Sequence, residues 1–567
     1  MSCYQDDQNR VKPDKAFSSL REAFFKTMDF TKKNTDLLFS IHGNCAGKYE
    51  QQVMMMMRGE LPPGWQWIPC SQNSVVAATI ESPIVYYKEF LSRSKFEKIK
   101  AIIRGSRCKR ACKQAGILIS VGLPAPGILC WGKGGENDFM ISEGFNGIGF
   151  FQYLLTNFFP PRTPAKIKEK RLLLKAAGSF IGKLHFKGIV HGDLRQNNLL
   201  VKKDGKDFQF SFIDNESNYR WRYIPVSQIV KNLVQFSMSS DNLLTRTDLM
   251  RIFLAYRANY PRFSGRKERK LLQTVFTRSK SRILDKKVEC DISINCQPLL
   301  KEEFFRGEYA KGSVVAKQFS RGVDPAQWFK MGNITLKQDK NITVKLLAGP
   351  GGDVVVKCFT SKNLLHCINI WLKRERVLRM WKMAHYFKAL DIPIASPLGY
   401  VLERKGLWST VSYFYSQYLA DTCNLVVLSR NRKDFPNWLE NEKIISRIAR
   451  LLATLHNNGF YHGDTKWANI LANANTGKFW LIDLDGASRI RSVLDRGVRK
   501  DLSRFIVDMI ENEIPKHFLG EFVSEYCKVR RLNKEHVIQK INPHISRTLE
   551  RHKRKRNISI RHDNKII

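Results

Sequence analysis

Residues 461–470 read YHGDTKWANI, and residues 190–199 read VHGDLRQNNL. Each holds His-Gly-Asp, four residues and then Asn, so Asp193 and Asn198 recur as Asp464 and Asn469. The landmarks around the loops recur as well. Leu184-His185 ahead of the first loop matches Leu455-His456 ahead of the second, 271 residues on. IVYYKEF with Lys88 matches VVVKCF with Lys357, VGLPAPGIL around Pro124 matches LDIPIASPL around Pro393, and FSFIDNE with Asp214 matches FWLIDLD with Asp483. These three pairs share a spacing of 269. Landmarks at nearly constant spacing indicate a duplicated domain of about 270 residues, within the usual range for one domain.

Both copies run in the same order. Residues 73–80 and 84–90 predict a hairpin around Ser82-Pro83, and 341–347 with 354–359 predict another around GPGGD. A basic helix follows, near 104–120 and 371–390, then a Leu/Ile-Pro turn. Strands come next, near 137–143 and 408–418. Leu173, Ala177, Phe180, Ile181 and Leu184 keep helical spacing ahead of the first loop; Ile444, Ile448, Leu451, Leu452 and Leu455 do so ahead of the second. Strands first and helices second give an α+β fold: two tandem bilobal domains, each with a strand-rich N-lobe and a helix-rich C-lobe.

A strand lysine, an Asp-x4-Asn loop and an aspartate ending a later strand are the parts of a phosphoryl-transfer site of protein-kinase type. A nucleoside triphosphate comes with Mg²⁺, a hard octahedral cation that takes carboxylate and amide oxygens. Lys88 and Lys357 are placed on the α/β-phosphates of ATP, and Asn198 with Asp214, and Asn469 with Asp483, on the metal. Asp193 and Asp464 are placed at the attacking hydroxyl, with Arg195 and Lys466 where a cation would meet the transferring group. Glu143 and Gln417, at the ends of their strands, complete the nucleotide-binding candidates. Taken singly, each has a plainer reading: a solvated strand lysine, a turn aspartate, and structural histidines at His191 and His462. The same order occurring twice is what outweighs those readings.

The HGD loop, with Gly192 and Gly463 where most protein kinases carry Arg, resembles the lipopolysaccharide core kinases, the bacterial heptose and 3-deoxy-manno-octulosonic acid (Kdo) kinases. RMWKMAHYFKALDIPIASPLGYVLERKG (379–406), YHGDTKWANILAN and LIDLDGA look like that family's passages. Glu216 and Asp485, two positions after the metal aspartates, match its Asp-x-Asp pattern. The resemblance spans about 70–320 and 330–540 and implies ATP- and Mg²⁺-dependent phosphorylation of an inner-core sugar hydroxyl. The chain departs from protein kinases in lacking G-x-G-x-x-G, Asp-Phe-Gly and Ala-Pro-Glu. Glu97 comes early for a partner of Lys88, and Glu375 lies five residues ahead of the aligned position, which Met380 holds. Phospho-switching in cis has no visible apparatus, which points to a small-acceptor kinase active once folded.

Composition frames this. The 567 residues exceed one core, and 43% hydrophobic with 26% charged residues is an ordinary globular balance. The 95 Lys+Arg against 52 Asp+Glu give +43, a field suited to a polyanionic partner. The expected partners are the core glycolipid and the anionic inner leaflet; no RNA or DNA module is visible, so nucleic acid is not expected. Twelve cysteines without CxxC pairs read as reduced thiols. No apolar run reaches 18 residues and MSCYQDDQNR is unlike a signal peptide, so the expected location is cytoplasmic, peripheral at the inner face of the membrane. The expected layout is an N-terminal extension (1–65), a first kinase-like domain (66–310), a linker (311–325), a second domain (326–545) and a basic tail (546–567) containing RHKRKR. MMMM (54–57) reads as packing filler. The competing readings are an atypical protein kinase and a nucleotide-binding scaffold without turnover.

Overall fold

The computed structural model describes residues 39–556, apart from 71–72, 92–103, 160–162, 239–242, 299–313, 317–328, 333, 340, 349–351, 362–375, 406–408, 432 and 491–493. Glu97, Glu375 and the last residues of the basic tail lie outside these. The chain divides into two compact units, Met1–Lys280 and Ser281–Ile567.

The first unit opens with a six-stranded sheet. It comprises β1 (Phe39–His42), β2 (Trp65–Ile68), β3 (Ser74–Thr79), β4 (Val85–Phe90), β5 (Ile128–Gly134) and β6 (Asn137–Glu143), ordered β1-β5-β6-β4-β3-β2. Every pairing is antiparallel, with Lys88 opposite Met140 and Val85 opposite Glu143. Strand alternation sends Val85 and Tyr87 to one face, where they bury with Phe139 and Ile141, and leaves Lys88 on the other. Helix α1 (Ala46–Met57) covers the apolar face through Tyr49, Val53 and Met56. The stretch before residue 66, read from sequence as an extension, thus supplies β1, α1 and the start of β2. Within MMMM, Met56 is fully buried and the thioether of Met57 lies where any side chain on Gly134 would stand.

Helix α2 (Arg107–Ser120), capped by Ser106, packs on β5 and β6. The second half of the unit is helical: α3 (Phe150–Phe158), α4 (Pro164–Phe186), α5 (Val226–Ser237), α6 (Arg246–Asn259) and the start of α7 (Gly265–Asn295). Thr163 caps α4 and Pro164 fills its first turn, where a missing N–H costs nothing. Its apolar stripe, Leu173, Leu174, Ala177, Ile181 and Leu184, makes the core with α5 and α6. Gly178 and Gly182 let α6 approach closely, since a Cβ at either would meet the carbonyls of Ile252 or Tyr256. Short strands carry the loops: β7 (Ile148–Gly149), β8 (Ile189–Val190), β9 (Leu199–Asp204), β10 (Asp207–Phe212) and β11 (Tyr219–Arg220).

The second unit repeats this plan. Its sheet has seven strands: β12 (Cys296–Pro298), β13 (Val314–Ala316), β14 (Ile334–Asp339), β15 (Ile342–Leu347), β16 (Val354–Ser361), β17 (Pro397–Lys405) and β18 (Ser409–Gln417). The order is β12-β13-β17-β18-β16-β15-β14, with Lys357 opposite Phe414 and Val354 opposite Gln417. Helix α8 (Arg376–Ala389) takes the place of α2. The helical half holds α9 (Leu425–Asn431), α10 (Phe435–Asn441), α11 (Ile444–Asn457), α12 (Arg496–Glu511), α13 (Lys516–Arg530) and α14 (Lys534–Arg556). Its short strands are β19 (Cys423–Asn424), β20 (Phe460–Tyr461), β21 (Ile470–Ala472), β22 (Phe479–Leu481) and β23 (Ser488–Arg489). Val537, Ile541, Ile545 and Leu549 fall one turn apart along α14 and join the core. The tail expected from residue 546 therefore begins as packed helix through Arg556. Among the described residues, no helix is long and apolar enough to cross a membrane.

Candidate active site

Both units bring the same side chains together through the same bonds. Strand β4 presents Lys88, whose ammonium pairs with Oδ1 of Asp214; strand β16 presents Lys357, which donates to Oδ1 of Asp483 at 2.6 Å. Each aspartate sits in the left-handed backbone region, at φ 58° and 62°, just after the strand β10 or β22. Asp tolerates that conformation better than most residues, and here it turns the carboxylate back toward the sheet. Burial alone would raise both carboxyls, but the charge and hydrogen bond of the neighbouring lysine outweigh it, so both lie below the usual carboxylate range.

The HGD loop is held from three sides. Asn198 donates Nδ2–H to the carbonyl of Asp193 at 2.9 Å, and Asn469 does the same to Asp464 at 2.9 Å. That leaves each amide oxygen turned away from the loop backbone. The N–H of Ile213 bonds the carbonyl of Asn198 at 3.1 Å, and Ile482 that of Asn469 at 3.0 Å, tying the loop to the strand that ends in the aspartate. Pro124 and Pro393 accept from Phe212 and Leu481 on those strands, so the matched Pro turns are also part of the frame. His191 and His462, fully buried, donate Nε2–H to Ile213 and Ile482, both at 3.0 Å, and accept from the N–H of the loop aspartate on Nδ1. Burial pushes both imidazoles below their ordinary value, as fits neutral structural residues.

The glycine of HGD has a steric cause. A Cβ on Gly192 would collide with the backbone of Ser217, and one on Gly463, at φ +84°, with that of Gly486. The segment following Asp214 or Asp483 runs against the loop, leaving no room for a side chain.

Several partners escaped the sequence reading. Asp193 accepts from Nε of Arg195 at 3.0 Å and from Nε2 of Gln235 at 2.9 Å. Asp464 has Lys466 at 3.3 Å, Asn469 at 3.0 Å and an ion pair with Arg504. Behind the loops, Asn232 accepts from His191 N–H at 3.1 Å while its Nδ2–H goes to the carbonyl of His191 at 2.6 Å. Asp501, fully buried, accepts from His462 N–H at 2.7 Å and Gly463 N–H at 2.6 Å. His185 and His456 reach the same two residues with Nε2 and take Tyr256 or Tyr526 on Nδ1. Asn232/Asp501 and Gln235/Arg504 share the 269-residue spacing, and Asn232 is a polar residue on an apolar helix face; these signals were available.

No carboxylate from the basic helix meets the lysines among the described residues. Instead Arg107 donates to Glu216 at 2.9 Å, and Arg376 to Asp485 at 2.8 Å. The helix reaches the second acid of the Asp-x-Asp/Glu pattern, so the polarity of the protein-kinase ion pair is exchanged. Glu143 and Gln417 end β6 and β18, exposed and three strand positions from their lysines' register, with backbone N–H bonds to Gly127 and Ser396.

In each unit the backbone bond from Ile213 to Asn198, or Ile482 to Asn469, ties the loop asparagine to the residue before the aspartate, and amide and carboxylate oxygens are donors of the kind Mg²⁺ takes with its waters and a substrate's phosphates. Among the described residues, no cluster of three or more His, Cys, Asp or Glu forms a metal cage.

The solved structure titled "WaaP in complex with acyl carrier protein" matches with a TM-score of 0.32 and 18% identity, covering 43% of this chain and 98% of that one. "ROP18 kinase domain in complex with AMP-PNP and sucrose" matches with a TM-score of 0.23 and 18% identity, covering 29% of this chain and 53% of that one. No curated protein matches. The model of the lipopolysaccharide kinase (Kdo/WaaP) family matches residues 155–256 and 360–526, each segment carrying one HGD loop. One such segment falls in each unit, and over those segments the chain is similar to the lipopolysaccharide kinase (Kdo/WaaP) family.

Proposed function

We propose that the chain transfers the γ-phosphate of ATP to a sugar hydroxyl of the lipopolysaccharide inner core, heptose or Kdo. The observation that carries this is the lysine–aspartate pair beside an Asp-x4-Asn loop, formed twice by equivalent residues. Lys88 and Lys357 would give up their aspartates to hold the α/β-phosphates, with Glu143 and Gln417 at the strand ends beside the nucleotide. Asn198 with Asp214, and Asn469 with Asp483, would hold Mg²⁺, which supplies charge neutralisation of the phosphates. Asp193 and Asp464 would orient the acceptor hydroxyl and take its proton, while Arg195 and Lys466 face the transferring group. The buried histidines fix the loop and hold no mobile proton.

The excess of basic residues supports attachment at an anionic membrane surface, where a glycolipid acceptor is reached from the cytoplasmic side. The layout we favour is one such kinase domain in each of the two units, Met1–Lys280 and Ser281–Ile567. The test is transfer from labelled ATP with Mg²⁺ to dephosphorylated core glycolipid by wild type, Asp193→Ala, Asp464→Ala and the double variant, counting phosphates added. Loss of one phosphate in each single variant gives two working sites. No transfer by wild type defeats the proposal, and label on protein instead of glycolipid favours a protein kinase.

A further inference from the structure

The second unit has a basic cleft that the first unit's sequence does not reproduce. Helix α12 turns Arg496, Lys500 and Arg504 to one side, one helical turn apart, and α14 faces them with His544, Thr548 and Arg551. The space between is about 160 Å³, far more than the roughly 10–15 Å³ that one water needs. No carboxylate lines it. Like charges at i,i+4 repel along a helix, and here a fourth cation approaches from the facing one. Among the described residues, no hydrogen bond or ion pair engages the side chain of Arg496, Lys500 or Arg551. Arg504 alone is occupied, and its partners are the loop: it bonds the carbonyl of Gly463 at 3.2 Å and pairs with Asp464. The cleft therefore opens beside the carboxylate assigned to the acceptor hydroxyl.

Counting back 269 residues, the spacing fixed by Asp501 and Asn232, puts Ser227, Lys231 and Gln235 at the positions of Arg496, Lys500 and Arg504. One cation of three remains. We propose that the α12–α14 cleft of the second unit binds an acidic group, carboxylate or phosphate, carried by the acceptor sugar chain, and that this anchors the acceptor with a hydroxyl at Asp464. Unmatched cations converging on one cleft call for an anion. Their link to Asp464 through Arg504 makes the acceptor its source, because the nucleotide is assigned to Lys357 and Asp483.

The inference rests on the kinase reading of the second unit, and the experiment separates the two. Full-length wild type, the three single Gln variants at Arg496, Lys500 and Arg551, and the triple variant are titrated calorimetrically without ATP. The probes are a dephosphorylated acidic core oligosaccharide, the same oligosaccharide with its carboxylates reduced to alcohols, and inorganic phosphate. The triple variant should bind the acidic oligosaccharide at least tenfold more weakly, and each single variant severalfold more weakly. The charge-preserving triple R496K/K500R/R551K should stay within threefold of wild type, which decides the case if the neutral triple fails to fold. A tenfold loss on carboxyl reduction assigns the cleft to a carboxylate. Acidic-oligosaccharide binding unchanged in the triple variant, with inorganic phosphate binding lost in it, assigns the cleft to a phosphate on the acceptor. Variants that bind both the acidic oligosaccharide and inorganic phosphate like wild type overturn the proposal. Wild type that binds in this way yet transfers no label from ATP overturns the kinase reading and leaves the cleft assignment standing.

Discussion

Asp501 and Asn232 do the same task with different chemistry, and the difference can be measured. A carboxylate has two acceptor oxygens, so Asp501 serves the N–H groups of both His462 and Gly463. An amide has one, so Asn232 serves His191, and Gly192 turns instead to Oδ1 of Asn218 at 3.1 Å. The residue 269 positions after Asn218 is Ala487, which offers no acceptor side chain. Asp501→Asn should therefore strand the buried N–H of Gly463, at a cost of about 1–3 kcal/mol. Asp501→Ala strands both amides and the Nε2–H of His456, roughly 3–9 kcal/mol by the same reckoning, against a domain stability of about 5–15 kcal/mol. Adding Ala487→Asn to Asp501→Asn imports the first unit's solution and should recover about 1 kcal/mol; Ala487 is fully buried, so recovery is partial. Hydrogen exchange read by mass spectrometry on peptides covering 458–470 reports the opening locally, tenfold in protection for about each 1.4 kcal/mol. The peptide over 187–200 serves as control within the same chain. Additivity of the two substitutions within about 0.5 kcal/mol would show that Asn218 and Ala487 are not the compensating pair.

Three further outcomes follow from the geometry. Gly463→Ala, placing a Cβ at positive φ against Gly486, should destabilise the second unit by about 2 kcal/mol or more, read as a fall in urea midpoint; an unchanged midpoint would remove the steric account of HGD. Lys357→Met should raise KM for ATP tenfold or more with the fold retained, and an unaltered KM would detach that lysine from the phosphates. His185 is buried with its pKa pushed down to about 4 by desolvation, against an ordinary 6.5. Between those values the unfolded chain binds the proton and the folded one does not, so stability is full above pH 6.5 and declines as pH falls toward 4, by roughly 3 kcal/mol in all. Urea midpoints that stay flat from pH 7 to 5 in the wild type would contradict this.

The parts of the fold written as local pattern were legible in the sequence. The hairpin carrying Lys88, the helix ahead of each HGD loop and the strand ending in Asp214 or Asp483 announce themselves by alternation, apolar spacing and turn residues. The pairing of Lys88 with Asp214 was legible only through repetition, since 126 residues separate them and no periodicity links them. Missed were the groups that act from behind, Asn232, Asp501, Gln235 and Arg504, because the backbone and carboxylate groups they bond lie in the loop, a helix away in sequence, and no local pattern names those partners. The glycine of HGD was noticed as an absent arginine. Its physical reason, a backbone passing too close for any side chain, belongs to tertiary packing. Strand β1 was missed because its pairing is with β5, far along the chain.

The direct contact between Lys357 and Asp483 has a consequence for the order in which ligands arrive. The carboxylate already has a cation, and whatever takes it must offer the ammonium another anion. A divalent ion alone offers the displaced ammonium no anion in exchange. A nucleotide's phosphates bring the exchange partner. Metal and nucleotide should thus enter as one complex, with saturation by metal tracking nucleotide concentration, and each unit would be held in a self-neutralised resting state until both come together.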